Sequence, residues 1–190
     1  MNKGKYIIGF SLIQLFVIAA IIVHFFDPAL FSSDSTRFND TLLISSLFND
    51  CTVIPMKSEI TAYCPGPCCN SSTFTKNGKR YTVDWTNRVA AGNIAITDLH
   101  QNGIQIVAVD SSTIPHGSIV SYNGTRYLAI DSGSAITGTR LDISMANHES
   151  TQSFGRRFDQ DIIVHIPKNP DAVLEAVTRY IEGKNIAANR

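Results

Sequence analysis

The pattern of apolar and polar positions divides the chain into three parts. Residues 6–26 form an apolar run in which a histidine is the only titratable side chain besides a tyrosine. Over residues 57–167, short runs rich in Ile, Val, Tyr and Thr are separated by Gly, Pro and Asn, which is typical of short β-strands. Near the C-terminus, Val173, Val177 and Ile181 recur at helical spacing. The pattern therefore predicts an apolar helix, a β domain and an amphipathic helix.

The apolar run is long enough for a membrane anchor. At 1.5 Å per residue a helix over residues 6–26 spans roughly 30 Å, the thickness of the hydrocarbon core. A cleaved signal peptide is the alternative, but no small-x-small cleavage site follows the run. Lys3 and Lys5 precede the run. They predict that residues 1–5 are cytoplasmic and that the rest lies outside the cytoplasm, as in a single-pass protein of the cell membrane.

The β-like runs predict one compact domain between a linker at residues 27–56 and a C-terminal segment at residues 168–190. Asn123-Gly124 joins two of the runs and is a strong hairpin signal. Asn169 and Pro170 suit the cap and first position of the terminal helix. That helix is expected to bury its apolar stripe against the β domain. The predicted fold class is mainly β, with a helix at each end.

Charge and cysteine content narrow the function. The chain has 190 residues with 16 basic and 16 acidic side chains, so a nucleic-acid partner is not expected. No phosphate-binding glycine loop occurs, and no cofactor is expected.

In an oxidising compartment the four cysteines predict one or two disulfides. A zinc site is the alternative, although Cys-x3-Cys-Cys with one distant Cys is not a standard ligand spacing, so no metal is expected. The cysteines are Cys51, Cys64, Cys68 and Cys69.

Three aspartates end or interrupt apolar strands. Asp110 closes "IQIVAVD", Asp131 closes "YLAID", and Asp142 lies between Leu141 and Ile143. Turn capping explains any one of them. Three together point to chemistry, because burying carboxylates near one another is costly and raises a pKa. If "TRLDIS" is a strand, Asp142 faces away from its apolar neighbours and can line a cleft.

Four ordered motifs resemble a known family. They are "ITAYCPGPCC", "VAVDSSTIPHGSIV", "YLAIDSGSAITGTRLDIS" and "FGRRFDQDIIVHIP". Together they are similar to the three-aspartate domain, which is shared with membrane-bound lytic transglycosylase A and bacterial stationary-phase survival proteins. The resemblance covers about residues 60–167. It implies a six-stranded double-psi β-barrel that cleaves the glycan strands of peptidoglycan, with Asp142 as the catalytic acid and Asp110 and Asp131 as supporting aspartates.

Two departures from that family stand out. The large second domain that helps the transglycosylase hold its glycan is not expected here. No cysteine follows a signal-like stretch, so the anchor is of the inner-membrane and not the lipoprotein type.

The implied reaction is a non-hydrolytic cleavage of the MurNAc–GlcNAc bond. One acid protonates the leaving oxygen and then accepts the proton of the sugar's own C6 hydroxyl, so no second carboxylate has to activate water, unlike in the usual glycosidase. The acid must have a raised pKa. Trp85 is expected either to stack on a sugar or to pack in the core. Candidate substrate contacts are Ser132, Gly133, Ser134, Thr137, Gly138, Arg140 and His148.

Two other functions remain open from the sequence. "LAIDSGS" fits the loop of pepsin-like proteases, in which case two copies of the chain would complete a two-aspartate site with Asp131 as the essential residue. The domain is alternatively a module that binds glycan without cutting it.

Overall fold

The computed structural model describes residues 50–188, in which eight strands and four helices follow one another. The bounds of the strands are β1 Cys51–Tyr63, β2 Ser71–Lys76, β3 Lys79–Asp84, β4 Ile106–Ala108, β5 Ile119–Tyr122, β6 Thr125–Asp131, β7 Leu141–Ser144 and β8 Arg157–Pro167. The bounds of the helices are α1 Pro67–Asn70, α2 Ile96–Gln101, α3 His148–Phe154 and α4 Pro170–Ala188.

Six strands close into a barrel in the order β1-β7-β4-β6-β5-β8. Two neighbouring pairs, β1 with β7 and β4 with β6, are parallel, and the other pairs are antiparallel. Closure leaves no free sheet edge, which is how small β domains satisfy their backbone groups. The remaining strands, β2 and β3, pair only with each other. The six-stranded barrel agrees with the expectation from the family resemblance.

The predicted hairpin at Asn123-Gly124 is confirmed. Tyr122 pairs with Thr125, and the two turn residues have φ of 47° and 76°. Both central positions of a type I′ turn require positive φ, which Asn and Gly tolerate best. The β2–β3 hairpin uses the same dipeptide at Asn77-Gly78.

The core has two layers. One cluster draws residues from all six barrel strands and from no helix, so it fills the barrel interior; its members include Ile60, Val107, Val120, Ala129, Leu141, Ile143 and Ile162. The second cluster lies on the outer face, where strand residues pack against α2 and α4; its members include Tyr63, Ile96, Leu99, Ile106, Ala108, Leu128, Ile130 and Val177.

The C-terminal helix is confirmed as the sequence predicts it. The side chain of Asn169 accepts the Ala172 N–H at 3.2 Å, and α4 begins at Pro170. Val173, Val177 and Ile181 are buried in the outer cluster. Full burial of such an aliphatic side chain contributes about 1.5–3 kcal/mol, so this stripe fixes the helix on the barrel.

The transmembrane helix predicted for residues 6–26 is not supported, and the fold class is corrected accordingly. That segment lies outside the described residues, and within residues 50–188 no helix is long and apolar enough to cross a membrane. The longest helix there, α4, carries charged side chains on its exposed face. The described fold is mainly β, built on a six-stranded barrel with one long helix.

The first strand also begins earlier than the predicted start of the β domain at residue 57. Residues 51–56 fall in the predicted linker, yet Cys51–Met56 pairs with Ile162–Pro167 of β8. Thr52, Val53 and Ile54 are β-branched residues that favour a strand, and β8 provides their pairing partner.

Candidate active site

Two of the three aspartates lie on strands that flank the same central strand. In the barrel, Ala108 of β4 pairs with Asp142 of β7 on one side and with Asp131 of β6 on the other. Thr61 of β1 pairs with Asp142 from the far side of β7. Neighbouring strands are about 4.8 Å apart, so the two carboxylates extend from backbones roughly 10 Å apart. The residue between them is the small and buried Ala108, a member of the outer apolar cluster.

A β-bulge turns Asp131 toward this face. Val107 pairs with Ala129, but the next residue, Ala108, pairs with Asp131, so Ile130 is the extra residue in β6. Strand side chains alternate, and Ala129 faces the barrel interior. Without the bulge, Asp131 would face the interior too. With it, the Asp131 carboxylate reaches Tyr63 on the outer face. Re-aiming a side chain next to a functional site is a recurrent use of bulges.

Asp142 is a half-buried acid with a raised pKa. Leu141 and Ile143 on either side of it are buried, and Asp142 faces the opposite way, as the sequence predicts. Burial raises its pKa from 3.8 to about 6, and the charge of Asp131 adds to this. A hydrogen bond donated by Thr61 Oγ1 to Asp142 Oδ1 at 2.7 Å and the charge of Arg140 act against the rise. Among the described residues, no donor contacts Oδ2, which is free to carry a proton.

Asp131 is a fixed acceptor. It is buried, and its Oδ1 accepts the N–H of Ala90 at 2.8 Å and of Ser132 at 2.9 Å. Its Oδ2 accepts the Tyr63 hydroxyl at 2.5 Å. Burial, followed by the charge of Asp131, raises the pKa of Tyr63 well above its usual value, so Tyr63 keeps its proton and remains a donor. With both oxygens engaged, Asp131 is suited to shape the field at Asp142 and not to donate a proton.

Asp110 caps a turn, which is the structural role that the sequence allows for any one of the three aspartates. Ser112 donates to its Oδ1 through its hydroxyl at 2.6 Å and its N–H at 3.0 Å, and Gly138 N–H donates to its Oδ2 at 2.8 Å. These hydrogen bonds lower the pKa of Asp110, and the bond from the Ser112 hydroxyl has the largest effect. Asp110 thus ties its own turn to the loop that joins Asp131 to Asp142.

A cleft of about 600 Å³ opens beside Asp131. Its lining residues are Cys69, Asn70, Ser71, Ser72, Val83, Trp85, Arg88, Ala90, Asp131, Ser132, Gly133 and Ser134. Trp85 is 60% exposed, which excludes the core role for this side chain. Asp142 is not among the lining residues and lies two strands away from Asp131. A chain-like ligand in this cleft would therefore have to extend past Asp131 to meet the acid.

The predicted substrate contacts separate into two groups. Ser132, Gly133 and Ser134 line the cleft, as a glycan-binding role requires, whereas Thr137 is exposed outside the lining set. The remaining three candidates, Gly138, Arg140 and His148, already have polar partners within the chain. The Gly138 N–H donates to Asp110, and Arg140 forms a salt bridge of 2.7 Å with Glu59. His148 lies beside the cysteines.

Three polar side chains around the aspartates were not expected from the sequence. Thr61 and Tyr63 hold Asp142 and Asp131, and their spacing in "ITAY" places both on one strand face, which is the signal that could have identified them. His116 Nε2 lies 2.9 Å from the Ser132 hydroxyl. Nothing local in the sequence predicts that contact, because the two residues lie on separate loops.

The predicted disulfides are not supported by the structure. All four cysteines have free thiols. The Cys64 sulfur lies 3.3 Å from that of Cys68 and 3.4 Å from that of Cys69, whereas a disulfide requires about 2.05 Å. Cys51 lies at the other end of β1, beside His165 Nδ1 at 3.9 Å. The strand that separates Cys51 from the other three explains why it cannot pair with them.

Comparisons with known proteins agree with this architecture. Residues 105–165, which include all three aspartates, match the family model of the 3D domain. The closed six-stranded barrel and the match over residues 105–165 fit a 3D domain of the double-psi barrel family. The SPbeta prophage-derived uncharacterized protein YorM of Bacillus subtilis (strain 168) is 36% identical over 76 residues, which are 38% of this chain and 32% of YorM. The chain therefore matches about a third of the length of that relative.

Proposed function

We propose that this chain is a lytic transglycosylase-like enzyme that cleaves the MurNAc–GlcNAc bond of peptidoglycan, with Asp142 as its single general acid and base. The observation that carries the proposal is the raised pKa of Asp142, about 6, at a carboxyl group with one free oxygen. A general acid works best when its pKa is near the working pH. An ordinary surface aspartate would be almost fully ionised there.

The reaction needs only this one group. Asp142 donates its proton to the glycosidic oxygen while the bond from that oxygen to C1 of MurNAc breaks. The resulting carboxylate takes the proton of the C6 hydroxyl as O6 bonds to C1, which closes a 1,6-anhydro ring and restores the acid. Water is not consumed, so the paired carboxylate of a hydrolase is not required. This fits a site where Asp131 is held by three donors.

The cleft suggests how a glycan would be held. Trp85 offers an exposed ring on which a sugar can stack, and Ser134 offers a hydroxyl group. The Ser132 hydroxyl donates to the Val109 carbonyl at 3.2 Å, so it would have to exchange this partner to bind a sugar. The glycan chain would extend from Trp85 past Asp131 to Asp142. Since peptidoglycan lies outside the cytoplasm, the proposal also requires an extracytoplasmic location.

The two alternatives from the sequence predict other outcomes. A dimeric protease would share a proton between two copies of Asp131, but this residue is buried and its oxygens are engaged within the chain. No observation favours that function. A non-catalytic module would bind glycan and leave Asp142 without a role.

Product analysis distinguishes these functions. The full-length protein is incubated with purified peptidoglycan, and the soluble fragments are analysed by mass spectrometry. The expected result is fragments with 1,6-anhydro ends that are absent with Asp142→Asn. Reducing ends would show hydrolysis and refute the proposal. Glycan that is bound but intact would indicate the binding module.

A further inference from the structure

A second group of reactive side chains lies beside the cleft. Cys64, Cys68, Cys69 and His148 each offer one metal-ligating atom, and these four atoms all lie within 4.8 Å of one another. The closest pairs are Cys64 Sγ with Cys68 Sγ at 3.3 Å, Cys64 Sγ with Cys69 Sγ at 3.4 Å, and Cys69 Sγ with His148 Nδ1 at 3.6 Å. Nothing in the proposed glycan chemistry uses this group.

These spacings suit a tetrahedral zinc ion. With Zn–S near 2.3 Å and Zn–N near 2.0–2.1 Å, tetrahedral geometry places the sulfurs about 3.8 Å apart and a sulfur and a nitrogen about 3.5 Å apart. The observed separations of 3.3, 3.4 and 3.6 Å lie within about half an ångström of those values. Three thiolates and one imidazole are a common structural zinc set, and soft sulfur ligands select zinc over magnesium or calcium.

The local sequence builds the three-cysteine side of the group. The short helix α1 begins at Pro67, and the carbonyl of the preceding Gly66 accepts the N–H of Cys69 and of Asn70 at 3.1 Å each. The Asn70 side chain donates to the Cys64 carbonyl at 2.6 Å. These bonds fold Cys64 back over α1, so that its sulfur meets those of the other two cysteines.

The fourth ligand comes from a distant element. Asn147 caps α3 by accepting the Ser150 N–H at 2.9 Å, and His148 is the first residue of that helix. A disulfide between any two of the clustered sulfurs would leave the third thiol and the imidazole without a function. A bound ion uses all four groups.

We propose that Cys64, Cys68, Cys69 and His148 bind one structural Zn²⁺ ion. Four protein ligands complete a tetrahedral shell and leave no position for substrate or water, which is the arrangement of a structural site. Cys69 and the next residues, Asn70 to Ser72, line the cleft. The ion therefore links α3 to one wall of the cleft and holds that wall in place.

Metal content tests the proposal independently of any glycan activity. The tag-free full-length protein is purified under reducing conditions, and its zinc is measured by elemental analysis. It is then stripped with a chelator and titrated with Co²⁺ alone. The expected results are one zinc per chain and, with cobalt, a thiolate-to-cobalt charge-transfer band together with the visible bands of a tetrahedral ion, both abolished by stoichiometric Zn²⁺.

Variants identify the ligands. Cys68→Ser and His148→Ala should each lose stoichiometric zinc and weaken the cobalt band, and circular dichroism should show that the barrel remains folded, since both side chains are exposed. Cys51→Ser is the matched control, because Cys51 lies outside the group, and it should keep its zinc. The proposal is overturned by a folded wild-type chain without zinc, by an intact mass lower by two hydrogens, which indicates a disulfide, or by equal zinc loss in Cys51→Ser.

Discussion

The substitution Asp142→Asn separates the effect of this buried carboxyl group on the stability of the fold from its effect on activity. In the folded protein its pKa is about 6, whereas the ordinary value is 3.8, a difference of about 2 units. Each unit corresponds to about 1.36 kcal/mol, so the folded state disfavours the charged form by roughly 3 kcal/mol. The folded chain holds this proton more tightly than the unfolded chain. Stability contributed by the protonated group is therefore lost as pH rises from 3.8 to about 6.

Asparagine has nearly the same shape, carries no charge and can still accept the Thr61 hydroxyl. We therefore expect Asp142→Asn to be more stable than the wild type near pH 8, by about 1–3 kcal/mol, the lower values applying if water reaches the half-buried group. The difference should shrink toward zero near pH 3.5, where both proteins are neutral at this position. Urea denaturation at the two pH values measures it. Activity should fall by about 10²- to 10⁴-fold, because both proton transfers are lost.

Two results would refute this reasoning. If the stability difference is the same at both pH values, burial of the charge is not its cause. If the variant keeps full activity, Asp142 is not the acid. Asp110→Asn provides a control of opposite sign, because hydrogen bonds lower the pKa of Asp110 and its charged form stabilises the fold. That variant should lose stability near pH 8 and lose less of it in acid.

Two further substitutions test the surroundings of the site, and a third tests the contact between the barrel and the start of α4. Thr61→Val removes the hydrogen bond that lowers the pKa of Asp142, so the alkaline limb of the pH–activity profile should move upward; an unmoved limb would contradict that role. Asp131→Asn removes a charge that raises the same pKa, so the limb should move downward, while disturbing the buried hydrogen bonds costs about 1–3 kcal/mol of stability in urea denaturation; an upward shift would contradict it. Gly117→Ala should lower the melting temperature far more than Gly124→Ala, because both glycines have positive φ but only at Gly117 would a Cβ meet a backbone oxygen, at 2.3 Å. Equal losses would show that this contact relaxes easily.

Local signals in the sequence predict the parts of the fold that local chemistry determines. The Asn123-Gly124 hairpin forms because few other dipeptides tolerate two positive φ values. The C-terminal helix begins at Pro170 because Asn169 caps its N-terminus and the apolar stripe that follows has helical spacing. Alternation places Asp142 away from Leu141 and Ile143.

Long-range pairing determines the parts that the sequence does not predict. The bulge at Ile130 depends on how β6 registers with β4, so alternation alone would send Asp131 into the barrel. Sequence spacing predicts disulfides because it does not show that β1 holds Cys51 and the clustered cysteines at opposite ends. His148 joins the cysteines from 79 residues away, so the spacing of the cysteines alone argued against a metal site.

The three aspartates share a motif, yet their partners give them different chemistry. Asp110 and Asp131 each accept three hydrogen bonds, whereas Asp142 accepts one and lies among apolar neighbours. A one-residue mechanism needs a group that first donates a proton and then accepts one. With a pKa of about 6, roughly a tenth of Asp142 is protonated at pH 7, and its carboxylate is about 100-fold more basic than that of an ordinary aspartate. Burial that costs the fold about 3 kcal/mol would therefore serve both halves of the proposed reaction, and it depends on this one carboxyl group having so few donors.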